Sequence, residues 1–367
     1  TLDRSSAASD VYKRQVMIKA TVVWLNYNSM GFMDVALRSL ESFLNLDFKD
    51  YEVIVVDNNS SDGSFERIKK FIEERRLNDV KIKIIRNDRN LGYAGGMNAG
   101  WEARSPDSKY VAFVNNDLIT TPESLAKLIE YVEGDDKIGA ASGLIYYPGQ
   151  KMIYSAGWST DDILTAINIC GKVDLMNCPT ANKPHEVTYA DGAYYLVRVN
   201  VVKRFGFDGK PFIDETFLYA DDALLGIRLW NFGYSTYYVP VEVGEHYASL
   251  TTKSTGLIKY YPLRAKFIAY AFIKTVYYNT VPIYYARIKA TSWALCKAGF
   301  KQYCTMYKAI TDGWKLGLRL RSKYGFLDLN KAPHIKLPTY IILSHVFFPI
   351  RSTFLRNRFV THNDLKL

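Results

Sequence analysis

Short apolar, β-branched runs alternate with helix-like periodicity through the first half of the chain, and three of the runs stop abruptly in polar clusters. Leu25 leads into Asn26-Tyr27-Asn28, Val56 into Asp57-Asn58-Asn59-Ser60-Ser61-Asp62, and Val114 into Asn115-Asn116-Asp117. Strands are expected from Ala20 to Leu25, Tyr51 to Val56, Ile82 to Ile85 and Tyr110 to Val114. Between them Val35, Leu37, Leu40 and Leu44 recur at near-helical spacing, as do Phe65, Ile68, Phe71 and Ile72, and Thr121-Pro122-Glu123 reads as a helix start. This alternation is the pattern of an α/β domain with a mostly parallel central sheet. Such sheets bind ligands in the crevice beyond the carboxyl ends of their strands, which is where the polar clusters fall.

Past residue 140 the alternation breaks down, and strand-like runs mix with Gly- and Asp-rich loops as far as His246; this stretch should complete the pocket. From Gly256 onward Lys and Arg interleave with Tyr, Phe, Leu and Ile, as in basic amphipathic helices. The formal charge of +10 conceals an asymmetry: residues 251–367 carry 20 Lys+Arg against 3 Asp+Glu. Rings and cations together suit single-stranded nucleic acid or an anionic lipid surface. We favour the lipid surface, and no nucleic acid partner is expected. The segment from Lys259 to Phe267 is the clearest candidate for it, although the same helices could pack on the acidic remainder of the chain.

Residues 1–16 lack an apolar run and read as a non-native or disordered leader before Met17. The apolar stretch from Phe267 to Ile288 is interrupted by Lys274, Asn279, Pro282 and Arg287 and does not suit a membrane span. The four cysteines lack the spacing of a zinc site and are expected as reduced thiols. On a shared helix Cys296 and Cys304 would stand about 12 Å apart, too far to bridge.

Several residues could carry chemistry. An acid at the end of a strand, such as Asp117 after Asn115-Asn116, can hold a divalent cation that bridges two phosphates, or can simply form an Asx turn. Asp57 is a costly place for a carboxylate unless donors meet it, such as the ring N–H of a base, whereas Asp62 or Ser61 can cap the next helix. The segment Asn90-Leu91-Gly92-Tyr93-Ala94-Gly95-Gly96-Met97-Asn98 could let backbone approach a phosphate or ribose. Its glycines follow the third strand, not the first, so a nicotinamide or flavin cofactor is not expected.

Taken together, VVWLNYN, EVIVVDNNSSDGS, NLGYAGGMNAG and FVNNDL resemble, in order and spacing, the nucleotide-binding half of the family 2 glycosyltransferases of GT-A fold. ADGAYYLVR, FLYADDALLGIRLWNFGY and VGEHYASLT are similar to acceptor-side motifs of the rhamnosyltransferase-like branch. The resemblance covers roughly residues 18–252. It implies a GT-A domain over 17–252, with 253–367 as a helical membrane-associating region.

By that resemblance Asp57 contacts the nucleobase, with Tyr27, Asn28 and Asn59 around it. Gly92, Gly95, Gly96, Asn98, Asn115 and Asn116 line the donor nucleotide site. Asp117 binds Mg²⁺ or Mn²⁺, with Asn115 where the family's first motif Asp stands, and His246 reaches the metal or diphosphate. Asp222 is the implied general base, since inverting transfer needs a carboxylate beside the acceptor hydroxyl. Asp221 either raises the pKa of that base or caps a helix. Asp191, Gly192 and Ala193 line the sugar or acceptor pocket, and Leu224 stands where many relatives carry a further Asp.

The implied donor is a UDP-, dTDP- or GDP-linked sugar, and the implied acceptor a glycan or lipid-linked hydroxyl at the cytoplasmic face of the membrane. No QxxRW follows, which points to single-sugar transfer and away from a processive synthase. Two other classes remain open: a nucleotidyltransferase, and a catalytically silent membrane-associated glycan-binding scaffold.

Overall fold

A computed structural model describes residues 19–75, 80–248, 250, 260–348 and 353–357. The expected leader 1–16 and the expected domain boundary at 252/253 lie outside the described residues.

The first four expected strands form as β1 (Ala20–Asn26), β2 (Tyr51–Asp57), β3 (Lys81–Arg86) and β4 (Tyr110–Asn115). The helices between them are α1 (Met33–Leu44), α2 (Ser64–Glu73) and α3 (Gly92–Ala103). After β5 (Leu118–Thr120) comes α4 (Ser124–Glu133), just beyond the Thr-Pro-Glu start signal. Asp62 turns the chain into α2, accepting from the Ser64 N–H at 3.0 Å.

β3, β2, β1 and β4 are parallel neighbours, as the alternating pattern requires. Beyond them the sheet is mixed. β6 (Ile138–Tyr146) and β11 (Tyr194–Arg198) extend it, with β11 antiparallel to both β4 and β6. The β12 strand (Ser235–His246) runs parallel to β6 with register shifts and antiparallel to β5. Pro240 within β12 cannot donate to a ladder, which fits these irregularities. Short strands β7 (Ile153–Ser155) and β10 (His185–Glu186) add to the edges, and β8 (Trp158–Thr160) pairs with β9 (Ala166–Asn168) apart from the main sheet. The α/β fold expected from the sequence is thus present, with the parallel part of the main sheet confined to the first four strands and to β6–β12.

Apolar cores cover both faces of the sheet: Trp24, Phe43 and Tyr194 belong to one, and Met97, Trp101 and Phe113 to the other. Helix α5 (Val199–Phe205) joins the second through its valines, and α6 (Asp221–Asn231) joins it through Leu225 and Leu229.

The C-terminal helices are α7 (Tyr261–Phe272), α8 (Val281–Lys297), α9 (Lys301–Tyr324) and α10 (Thr339–Phe347). Leu224 and Ile227 of α6 share a core with Ile268 and Phe272 of α7 and Leu316 and Leu320 of α9. Leu224, where the family resemblance led to the expectation of a further acid, is therefore a core contact in this chain. Helices α7 and α9 cross closely because Gly313 and Gly317 have no Cβ: one added there would stand 2.3 Å from the Arg264 carbonyl oxygen or 2.6 Å from that of Ile268. Strands β13 (Ile273–Lys274) and β14 (Leu327–Asp328) tie the region together.

Two sequence expectations need correction. The described part of the 259–267 segment is not a free amphipathic surface: Ala265 and Phe267 are buried, and Arg264 donates to the carbonyls of Thr216 and Glu215 at 2.7 and 2.8 Å. The cysteines are paired as Cys170–Cys178 and Cys296–Cys304. Cys296 and Cys304 sit on two antiparallel helices, not one, so their Cα atoms approach to 4.9 Å across the Ala298-Gly299-Phe300 turn. Among the described residues no helix is long and apolar enough to cross a membrane.

Candidate active site

The register of β1 against β2 pairs Asn26 with Asp57, and that of β1 against β4 pairs Leu25 with Asn115, so the three polar clusters emerge side by side at one edge. Asp57 is fully buried, and its carboxylate is met by protein donors. Asn26 Nδ2 donates to its Oδ1 at 2.8 Å, Ser60 Oγ to the same oxygen at 2.6 Å, and the Ser60 N–H to Oδ2 at 3.0 Å, with Arg86 Nε 3.4 Å from Oδ2. The donors that the sequence argument required thus come from the fold itself. Asp57 organises the loop, while the less buried rim is left to Tyr27, Asn28 and Asn59. Asn28 and Asn59 hold left-handed backbone, φ 47° and 61°, a conformation that Asn tolerates better than most residues.

A residue that sequence reasoning passed over, Asn58, joins this loop to the glycine segment. Its Nδ2 donates to Asn90 Oδ1 at 3.0 Å and to the Gly92 carbonyl at 2.8 Å, while its Oδ1 accepts from the Leu91 N–H at 3.1 Å. Gly92 starts α3 at φ +72°, and an added Cβ would lie 2.2 Å from the carbonyl oxygen of Phe217. Gly95 and Gly96 admit the side chains of Leu91 and Leu25 closely, so packing accounts for both glycines. Asn98, buried, donates to the Phe212 carbonyl at 2.8 Å and to Asp214 Oδ1 at 2.7 Å. Of this segment's called residues, Gly92 stands at the helix start beside the loop, while Gly95, Gly96 and Asn98 are engaged with protein.

Antiparallel pairing of Leu118 with His246 brings together residues far apart in sequence. His246 Nε2 lies 2.9 Å from Asp117 Oδ1, both side chains buried, and Asn115 Nδ2 lies 3.4 Å from the same ring nitrogen. Asp117 Oδ2 accepts from the Leu250 N–H at 3.3 Å. Burial opposes ionisation of both groups, but each offsets it for the other, holding the Asp117 carboxyl below its usual range and the His246 ring above its own. His246 Nδ1 and Asn116 Nδ2 are buried and make no hydrogen bond with protein.

An anionic oxygen and an imidazole nitrogen in contact suit a divalent cation whose other ligands are water and phosphate oxygens. Among the described residues no group of three His, Cys, Asp or Glu side chains could hold a metal without such help.

Tyr154 packs edge-on against His246, ring centroids 4.6 Å apart, and lies within electrostatic reach of Asp191, Asp117 and Asp222. It stands between two groups of acids. In the second group Asp191 Oδ2 accepts from Trp158 Nε1 at 2.6 Å and Oδ1 from the Ala193 N–H at 2.8 Å. The Ala193 carbonyl in turn accepts from the Asn115 N–H at 3.1 Å, fixing this turn against the end of β4. At Gly192 an added Cβ would sit 3.2 Å from Asp222 Oδ2, so the missing side chain leaves room for that carboxyl. Tyr93 donates to the Gly192 carbonyl at 3.0 Å.

Burial, with repulsion from Asp191, pushes Asp222 up to about 7; burial, with repulsion from Asp222, pushes Asp221 up to about 8. Asp221 accepts from Thr216 Oγ1 through Oδ1, while its buried Oδ2 makes no hydrogen bond with protein. The pair opens α6 behind a strained segment in which Phe217, Tyr219 and Ala220 all have positive φ. Tyr93, Tyr154 and Trp158 were not singled out from sequence, because aromatic residues are common throughout the chain and nothing in their spacing marks these three.

Residues 21–190 match the family model described as Glycosyl transferase family 2, and a family 2 glycosyltransferase domain is supported there. An uncharacterized glycosyltransferase of Haemophilus influenzae is 30% identical over 145 residues, 39% of this chain and 42% of that protein. The GalNAc(5)-diNAcBac-PP-undecaprenol beta-1,3-glucosyltransferase of Campylobacter jejuni is 31% identical over 102 residues, 28% of this chain and 30% of that protein. The chain therefore spans less than half the length of either relative. Among solved structures, GalNAc-T7 with UDP, GalNAc and Mn²⁺ superposes with a TM-score of 0.56 at 15% identity, covering 84% of this chain and 58% of that one. That likeness is one of fold, and the mixed sheet described above is of the GT-A kind.

Proposed function

We propose that the family 2 glycosyltransferase domain of residues 21–190, completed by α6 and β12, performs inverting, non-processive transfer of a hexosyl or deoxyhexosyl group. The donor is a nucleotide diphosphate sugar linked to UDP, dTDP or GDP, and the acceptor a hydroxyl of a glycan or lipid-linked glycan. The observation that carries this reading is the meeting of Asp117–His246 with Asp191–Asp222 around Tyr154, at the edge where β1, β2 and β4 end.

The nucleotide lies along the loops after β1 and β2, with Asn28 and Asn59 at its rim, Asp57 holding the loop beneath the base, and Asn116 at the end of β4. Asp117 and His246 are the residues that would hold a Mg²⁺ or Mn²⁺ ion beside the diphosphate. When bound, that ion supplies positive charge where negative charge develops on the leaving group. Asp222 accepts the proton of the acceptor hydroxyl as the new C–O bond forms and the bond to the diphosphate breaks. Asp191 and Gly192 shape the space around that carboxylate.

The motif order supports the rhamnosyltransferase-like branch. The relative named for an undecaprenol-linked acceptor supports a role in cell-envelope polysaccharide synthesis at the cytoplasmic face of the membrane. The test is Asp222→Asn, which is isosteric: nucleotide binding should persist while transfer falls by about 10²–10⁴-fold. An Asn variant with full transfer would remove Asp222 from the mechanism.

A further inference from the structure

The helix expected to meet lipid, α7, is packed between protein surfaces; the exposed apolar face of the C-terminal region lies elsewhere. On α8 the residues facing solvent include Ile283, Ala286, Arg287, Ala290, Trp293, Ala294 and Lys297, spaced three or four apart. They form one stripe, and this helix buries only Val281 and Ser292. Its outward face is thus largely apolar, the reverse of an ordinary surface helix. On α10 Tyr340, Leu343 and Phe347 likewise share an outward face, and Phe348 follows at 63% exposure.

The two faces meet at Arg287, which donates to the carbonyls of Val346 and Phe347 at 3.0 and 3.2 Å and so ties α8 to the end of α10. From residue 251 to residue 311 the sequence contains no Asp or Glu, while Arg287 and Lys297 lie on the apolar stripe, Lys289 on the same helix, and Lys301 and Lys308 on α9, the helix that follows.

We propose that the α8–α10 face docks on an anionic lipid surface, with Ile283, Trp293, Leu343 and Phe347 entering the interfacial region and the surrounding cations meeting the headgroups. Charge and side-chain type both select this occupant. A buried interface with a second copy would bring these cations face to face without acids to pair them, whereas anionic lipid neutralises them. Trp and Tyr beside exposed aliphatics suit the boundary between headgroups and acyl chains. The proposal deepens the reading of a membrane-linked acceptor, but its test uses neither donor nor acceptor and so stands or falls separately.

The full chain is floated with vesicles of phosphatidylcholine alone and of phosphatidylcholine with phosphatidylglycerol. Binding is expected to the mixed vesicles only, to weaken with salt, and to fall roughly tenfold in Trp293→Asp and in Lys297→Glu at unchanged melting temperature. Lys297 is exposed, so its variant keeps the test valid if Trp293→Asp folds poorly. Equal flotation with both vesicle types, or wild-type affinity in both variants, would overturn the proposal. So would light scattering that shows a stable dimer which Trp293→Asp dissociates without any lipid binding by the wild type.

Discussion

Asp222 and Asp221 start one helix yet stand in different surroundings, and their chemistry differs accordingly. Asp222 lies against Gly192 with Asp191 nearby, and its carboxyl is pushed up to about 7 by burial first and by Asp191 second. A base must be ionised to take a proton, so transfer should rise with pH to a plateau above about 7, and a pH–rate profile that is flat from 5 to 8 would contradict the assignment. Asp221 is turned toward Thr216 and pushed up to about 8. Its folded carboxyl binds a proton more tightly than the unfolded one, so its contribution to stability is present below pH 4 and lost as pH rises through about 8. Asp221→Asn keeps the acceptor for Thr216 and has no charge to bury. Thermal melts should therefore show the wild type losing stability relative to this variant as pH is raised from 4 to 8.

At Gly92 both the positive φ and the 2.2 Å approach to the Phe217 carbonyl forbid a side chain. Gly92→Ala should cost about 1–3 kcal/mol in chemical denaturation and disturb the strained segment that leads into Asp221.

Elements differ in how plainly the sequence announces them. β1, β2 and β4 were legible almost to the residue, because each is a mostly apolar, buried run that stops at polar residues, and β3 was legible from the β-branched Ile82, Ile84 and Ile85 between Lys81 and Arg86. The later strands were not, since β12 mixes Tyr, Glu and Pro240 and owes its place to pairing with β5 and β6. In helix α3 the glycines were expected to let backbone approach a ligand, whereas Gly96 and Gly100 are what lets the helix lie against Leu25 and Val23 of β1. The pairing of Asp117 with His246 spans 129 positions and could be named only through the family resemblance. The expectation of reduced thiols failed at Cys296 and Cys304 because two helices joined by a turn, and not one shared helix, carry them. In α9 the glycines have a single clear purpose, so Gly317→Leu should drive α7 away and destabilise the protein by about 1–3 kcal/mol or more, read as a lowered denaturation midpoint.

At the scale of the whole molecule, the catalytic-side helix α6 is a shared wall. One side carries Asp221 and Asp222 into the pocket, and the other buries Leu224 and Ile227 against α7 and α9. The basic C-terminal third is therefore not an appendage hung on a finished domain; it supports the helix on which the proposed base stands. This arrangement also puts the exposed face of α8 and α10 on the same body as the pocket, as transfer to a lipid-linked acceptor would require.

If Asp117 and His246 hold a cation against a nucleotide diphosphate, thermal stabilisation of the chain by UDP, dTDP or GDP should depend on Mn²⁺, and melts with each nucleotide, with and without the ion, read this out. A ligand that binds only the folded chain raises its apparent stability in step with its affinity. Selective stabilisation by one nucleotide is expected, strengthened by Mn²⁺, abolished in Asp117→Ala and retained in Asp222→Asn. Stabilisation by none of the three, or an unchanged Mn²⁺ effect in Asp117→Ala, would contradict it.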